Sequence, residues 1–264
     1  MSGPLTGTKI VELAQMIAVP GATHLLATQG AQIIKIENTS GGDDLRMYGS
    51  RKNNMSGWFA NANAGKRSIG LDLSQDEAKE ILWSFIKEAD VFIEGFRPGA
   101  VARLGFSSKE ALSLNPSLIY VSSSGFGSRG PYSGRPVYDP VIQALSGWAG
   151  AQRNESKPNL IRGMVADKVA ALTTSQAITA ALLLEYADKP GNFLDPLTPP
   201  ILLMLITCPS ELIIGIRDLV ISASPNTFTS NVFLKDSYVV SPNNSLTRYP
   251  ALFIKISILI FLLF

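Results

Sequence analysis

The chain is poor in the residues that announce many chemistries. Its single cysteine, Cys208, excludes a disulfide framework within the chain and suits a reducing compartment, the cytoplasm or the mitochondrial matrix. The single histidine, His24, excludes a multi-histidine zinc site, and no metal site is expected. A Ser-His-Asp arrangement would have to use His24, which sits in the apolar helical pattern PGATHLLATQGA and reads as an ordinary helix residue. Neither sign of charge dominates: 23 basic residues face 21 acidic ones, so no nucleic-acid partner is expected. No G-x-G-x-x-G follows a strand and no Walker sequence exists, which argues against a dinucleotide cofactor or a P-loop. The opening MSGPLTGTKIVEL lacks a charged region followed by an apolar stretch, and no signal peptide is expected.

Glycine is nearly lacking in one region. Of 22 glycines only Gly191 and Gly215 lie beyond residue 186, whereas 8 of the 16 prolines do. The last run, ALFIKISILIFLLF, is interrupted by Lys255 and is shorter than the ~20 apolar residues a membrane span needs. Two parts are therefore expected: residues 1–186, the opening part of an enzyme domain, and residues 187–264, an atypical apolar, proline-containing tail. The tail is read as the product of a frameshift, a retained intron or a truncated gene, and a membrane partner is not expected.

What is present in 1–186 is alternation. Strand signals at TKIVEL (8–13), QIIKIE (32–37), SIGLDL (68–73), DVFIEG (90–95) and SLIYVSSSGFG (117–127) are separated by helical stretches or loops. A helix is expected near 20–29, and a long polar loop from 38 to 67. A helix from Ser74 is expected to open with a Ser74–Glu77 capping box, and SSKEALSL repeats the box with Ser107 and Glu110. DPVIQALSGW and VADKVAALTTSQAITAALLLEY read as helical. The pattern predicts an α/β fold, a Rossmann-like, mostly parallel sheet with helices on both faces. Ligands in such sheets bind beyond the carboxyl ends of the strands.

Those ends carry AQMIAVP, IENTSGGDD, IEGFRPG and VSSSGFGSRGPYSG, loops of glycine, proline and small polar residues. Basic residues punctuate them: Arg46, Arg51, Lys66, Arg67, Arg97 and Arg103. Each is by itself ordinary surface, but spread guanidinium groups suit a phosphorylated ligand. Arg97 stands out because Gly95, Pro98 and Gly99 fix a tight turn and Phe96 offers a flat surface to a base. Asp167 is the other candidate. It opens a helix with no charge between Lys168 and Glu185. It reads either as a helix cap or as a carboxylate nucleophile held at a helix N-terminus.

The ordered segments GTKIVEL, GAQIIKIE, GDDLR, NAGKRSIGLDL, ADVFIEGFRPGAVARLG, NPSLIYVSSSGFGSRGPY, YDPVIQALSG and VADKVAALTTSQAITAAL resemble the family III CoA-transferases. That family includes formyl-CoA, succinyl-CoA and carnitine CoA-transferases and is related to the α-methylacyl-CoA racemases. The resemblance covers nearly all of residues 4–186. It implies a large-domain fold that is incomplete here, with residues 187–264 outside the family fold. It implies acyl-CoA and a small carboxylic acid as substrates, no tightly bound cofactor, and a homodimer. Asp167 matches the catalytic aspartate, which attacks the acyl-CoA thioester. The CoA-contacting positions carried over are Ile17, Ala18, Leu71, Asp72, Gly95, Phe96, Arg97, Arg103, Arg135 and Tyr138. Asn38 stands where the family often has an arginine. Tyr138 stands where the racemase branch has a histidine, which favours a transferase. A racemase, and an inactive homologue or CoA-binding partner, are the alternatives. Family members are longer, and a glycine-rich loop from the region this chain lacks covers their site.

Overall fold

In the computed structural model, the described residues are 3–53, 55–128, 131–154, 157–187 and strand segments between 212 and 257. Five strands build a parallel sheet: β1 (Lys9–Leu13), β2 (Gln32–Glu37), β5 (Arg67–Gly70), β6 (Val91–Glu94) and β7 (Ile119–Ser123). Their spatial order is β5-β2-β1-β6-β7, every neighbouring pair parallel. The chain winds outward from β1, then returns to place β6 on its other side. That reversal makes the β1–β6 boundary a topological switch point, where the loops leaving the two strands diverge and leave a crevice.

Helices cover both faces. On one side α1 (Ala18–Thr28) and α8 (Val165–Ala187) pack against Ile10, Ile33, Val91, Ile93, Ile119 and Val121. On the other, α3 (Asp76–Glu88) and α5 (Ser108–Leu114) pack against Val11, Ile36, Phe92 and Tyr120. Alternate residues of each strand thus feed opposite cores, as the two-residue period requires. Three short helices lie in the later connections, α4 (Ala100–Arg103), α6 (Asp139–Leu145) and α7 (Trp148–Ala151). Beyond α8, strands Leu212–Ile216, Leu219–Ser222, Thr229–Leu234 and Phe253–Ser257 extend the sheet antiparallel from β7, and Ser237–Val240 pairs with Leu246–Tyr249. Residues 188–211 and most of the final apolar run lie outside the described residues. Among the described residues, no helix is long and apolar enough to cross a membrane.

The alternation is as expected, with three local differences. The stretch 38–67 is not one loop. It holds a 3-10 turn (Asp44–Met47), a hairpin of β3 (Arg51–Lys52) and β4 (Met55–Ser56), and α2 (Gly57–Asn63). Ser56 caps α2 by accepting from the N–H groups of Trp58 and Phe59 at 3.2 and 3.3 Å, and Phe59, Ala62 and Asn63 are its buried face. The Ser107–Glu110 capping box is present, but the Ser74–Glu77 box is not. Helix α3 begins at Asp76 without a side-chain cap, because Ser74 Oγ donates to Asp72 Oδ1 at 2.7 Å. Asp167 is likewise not the cap of its own helix; Asp139 serves that role from 28 residues away.

Under α1 lies a buried ionic cluster. Lys35 Nζ donates to Glu12 Oε1 at 2.7 Å and to the Ala14 carbonyl at 2.8 Å. It also lies 2.9 Å from Asp43 Oδ2, an ion pair outside hydrogen-bond geometry, so charge alone holds that buried oxygen. Lys66 Nζ donates to Glu12 Oε2, the Pro20 carbonyl and Asn63 Oδ1. Burial holds the Lys66 ammonium down to about 8 in spite of Glu12. Two formal positive charges thus meet two negative ones in a site closed to water.

Candidate functional site

The switch point carries two cavities. The first, about 290 Å³, is lined by Ala18 and Val19 of α1, the turn Gly95–Pro98 after β6, Ser123–Phe126 after β7, the segment Ser133–Tyr138, and Ala166, Asp167 and Ala170 of α8. The second, about 300 Å³, lies toward the α3 face, among Leu13, Ile36, Asn38–Ser40, Leu71–Leu73 and Leu104. Gln15 and Phe96 line both. These two residues follow β1 and β6, so the cavities meet where the sheet topology reverses.

Local chemistry fixes both turns. Met16 adopts φ 68°, a left-handed conformation rare outside glycine. Its N–H donates to Asp43 Oδ1 at 3.0 Å, which ties the turn to the ionic cluster. A side chain at Gly95 would be crowded: a Cβ there would lie 3.0 Å from Val19 Cγ2 and 3.1 Å from Ala14 Cβ, so α1 and the β1 end would have to give way. The close approach of the β6 turn to α1 is therefore favoured by that glycine.

Asp167 is the third residue of α8 and half-buried on the first cavity. Among the described residues its carboxylate accepts no hydrogen bond. Burial, and then the charge of Asp139, push it up from the ordinary aspartate value to about 6. Asp139 is buried at the start of α6. Its Oδ2 accepts from Ala166 N at 2.6 Å and from Asp167 N at 3.3 Å, and its Oδ1 accepts from Gln143 Nε2 at 2.5 Å. Gln143 also clasps the Ile161 backbone, donating to its carbonyl at 3.0 Å and accepting from its N–H at 2.8 Å. The carboxylate that satisfies the helix N-terminus is therefore Asp139, which leaves that of Asp167 to the cavity.

Of the expected positions, Ala18, Gly95, Phe96, Arg97, Arg135, Tyr138 and Asp167 line the first cavity, and Leu71, Asp72 and Phe96 the second. Two line neither. Ile17 is buried against Leu45, Phe59 and Ala62, and Arg103 is exposed on α4 beside the cavity residue Leu104. Two basic residues at strand ends serve the fold: Arg46 forks onto Glu37 at 2.8 and 2.7 Å and stacks on Phe59, and Lys66 is in the buried cluster. His24 meets the Ala64 carbonyl at 3.0 Å and lines neither cavity. Sequence reasoning missed Asp139, Gln143 and Gln15. The first two stand in the quoted segment YDPVIQALSG, and Gln15 follows β1; their position after a strand or ahead of a helix was the available signal.

A profile of CoA-transferase family III matches residues 5–197. The chain belongs to that family. The acetyl-CoA:oxalate CoA-transferase of Acetobacter aceti is 43% identical over 145 residues, 55% of this chain and 37% of that one. The succinate–glutarate CoA-transferase of Agrobacterium fabrum is 35% identical, over 73% of this chain and 50% of that one. A crystal structure of a CaiB/BaiF family protein from Brucella suis superposes with a TM-score of 0.67 at 35% identity, over 70% of this chain and 50% of that one. This family III chain spans about half, or less, of the length of the curated relatives it matches.

Proposed function

We propose that the chain transfers CoA from an acyl-CoA donor to a small carboxylic acid, with Asp167 as the covalent nucleophile. The observation that carries this is a half-buried carboxylate, raised to about 6 and free of hydrogen bonds among the described residues, on a cavity at the switch point. At neutral pH it is mostly ionised, yet more basic than an ordinary aspartate, which suits attack on a thioester.

An Asp167 oxygen attacks the thioester carbonyl, the C–S bond breaks, and CoA leaves as thiolate from a mixed anhydride. The thiolate then attacks the Asp167 carbonyl carbon, releasing the donor acid as carboxylate and leaving an aspartyl-CoA thioester. The acceptor carboxylate attacks this thioester, and the released thiolate attacks the acceptor's acyl carbon. New acyl-CoA departs and the Asp167 carboxylate is restored. Gln15, which lines the cavity and whose side-chain amide has no hydrogen-bond partner among the described residues, is read as the donor to the developing oxyanion.

CoA is read as spanning both cavities. Its thioester end lies in the first, with Ala18, Gly95, Arg97, Arg135 and Tyr138. Its nucleotide end lies in the second, with Leu71, Asp72 and Phe96, and Arg103 is at its rim. Ile17 contributes by fixing its turn. The names of the relatives, which pair CoA with oxalate or glutarate, support a carboxylic acid acceptor. A homodimer is part of this reading, supported by the exposed Leu172, Leu183 and Leu184 on α8. A compartment without disulfide chemistry, cytoplasm or matrix, is supported by the lone cysteine.

Incubation with an acyl-CoA followed by hydroxylamine and peptide mass spectrometry tests the reading. A hydroxamate on Asp167, and loss of turnover in Asp167→Ala, are the expected results. An unmodified Asp167 together with unchanged turnover in Asp167→Ala overturns it.

A further inference from the structure

We propose that Glu94 is the positioning residue of the ligand-binding turn, fixing Phe96 at the junction of the two cavities; this deepens the CoA reading above. Glu94 is the last residue of β6 and only 5% exposed. The buried carboxylates Glu12, Glu37 and Asp43 each meet a cation. Glu94, like Asp139, has no cationic partner among the described residues, and burial pushes its carboxyl above the ordinary range. An acid in such a place costs stability that a leucine would not.

Its two oxygens are committed to the site. Oε2 accepts from Phe96 N at 2.9 Å, satisfying an N–H that has already left the strand ladder. Oε1 meets the hydroxyl of Ser122, its register partner on β7. Ser123, the last residue of β7, and Ser124 after it line the first cavity together with the turn Gly95–Pro98. A single carboxylate therefore ties together two neighbouring strand ends that lead into the lining of the first cavity, and it does so beside the aromatic residue both cavities share. Glu94 touches no reacting atom; it acts through Phe96.

Two full-chain variants, Glu94→Leu and Glu94→Gln, test this with three readouts: amide exchange at Phe96 N, CoA affinity by calorimetry, and the Asp167 titration midpoint by carboxyl NMR. In Glu94→Leu, Phe96 exchange accelerates at least tenfold and CoA binding weakens about tenfold, the worth of one hydrogen bond, while the Asp167 midpoint stays in place. In Glu94→Gln the amide oxygen still accepts from Phe96 N, and both losses fall to about threefold or less. Unchanged CoA affinity in Glu94→Leu, or equal damage in both variants, overturns the proposal. If the unsubstituted chain binds no CoA, the CoA reading fails separately, and Phe96 exchange decides the positioning role: protection lost with leucine and kept with glutamine supports it, protection kept in both overturns it. Should Glu94→Leu not fold, Ser122→Ala takes its place, and unchanged CoA affinity there overturns the proposal.

Discussion

Asp139 and Asp167 share one helix start, and the division of labour between them explains both. Asp139 accepts from two backbone N–H groups and one amide, so its charge is satisfied. Asp167 has the burial and the neighbouring charge without those bonds. Replacing Asp139 with asparagine keeps an acceptor at the helix start and removes the charge, so the Asp167 midpoint should fall from about 6 toward the ordinary value; a midpoint that stays or rises would show that Asp139 is not its neighbour in the energetic sense. The sign for stability follows. Below the ordinary aspartate pKa, Asp167 is protonated in both folded and unfolded chains and costs nothing. As pH rises from there to about 6 the unfolded chain gives up its proton while the folded chain still holds it, and stability is lost over that window. The penalty is at most about 3 kcal/mol for a rise from 3.8 to about 6. Asp167→Asn should therefore unfold at higher urea than the parent chain at pH 7.5, and the advantage should vanish at pH 4. Asp167 and Arg97 were legible in the sequence because each stands out from its immediate neighbours, one by charge in an apolar helix, the other by a Gly-Pro turn. Asp139 was not, since its meaning depends on a helix that begins far along the chain.

Five elements meet at the buried ionic cluster: β1 through Glu12, β2 through Lys35, α1 through Thr23 and Pro20, α2 through Asn63, and the lead into β5 through Lys66. Glu12 is the hub, since both ammonium groups donate to it. Glu12→Gln leaves two buried cations facing only Asp43. A loss of about 3–5 kcal/mol is expected, as for breaking a buried pair, read as a lower urea midpoint at unchanged slope. A loss under about 1 kcal/mol would mean that water enters the cluster and screens it. Because Asp43 also holds Met16 N, the cluster carries the geometry of the β1 turn as well as the sheet. At this scale the sequence was readable where apolar period and caps agree, as in β2 and at Ser107–Glu110. It failed at α2, where Ser56 was an available cap signal but the helix is short and rests on Phe59 and Ala62 packing against Leu45. It failed again at Ser74, where Asp72 outcompeted the helix for the hydroxyl.

For the molecule as a whole, the order β5-β2-β1-β6-β7 decides where a long ligand can lie. The first cavity is lined by residues of α1 and α8, the second lies toward the α3 face, and they share Gln15 and Phe96 beyond the ends of β1 and β6. A ligand with two unlike ends can use both by crossing at Gln15 and Phe96. In the reading proposed above, the thioester end meets Asp167 and the nucleotide end lies in the second cavity. The halves of CoA should then act independently. Adenosine 3′,5′-bisphosphate should compete with CoA while leaving Asp167 open to an acyl-pantetheine. Thr39→Trp, at an exposed position on the second cavity, should weaken CoA and the bisphosphate alike, yet leave the rate of Asp167 acylation by acyl-pantetheine unchanged. Intact CoA should bind more tightly than either half, because the first end to dock raises the local concentration of the second. An equal loss of acyl-pantetheine reactivity in Thr39→Trp would place both ends of the ligand in one cavity and remove the crossing.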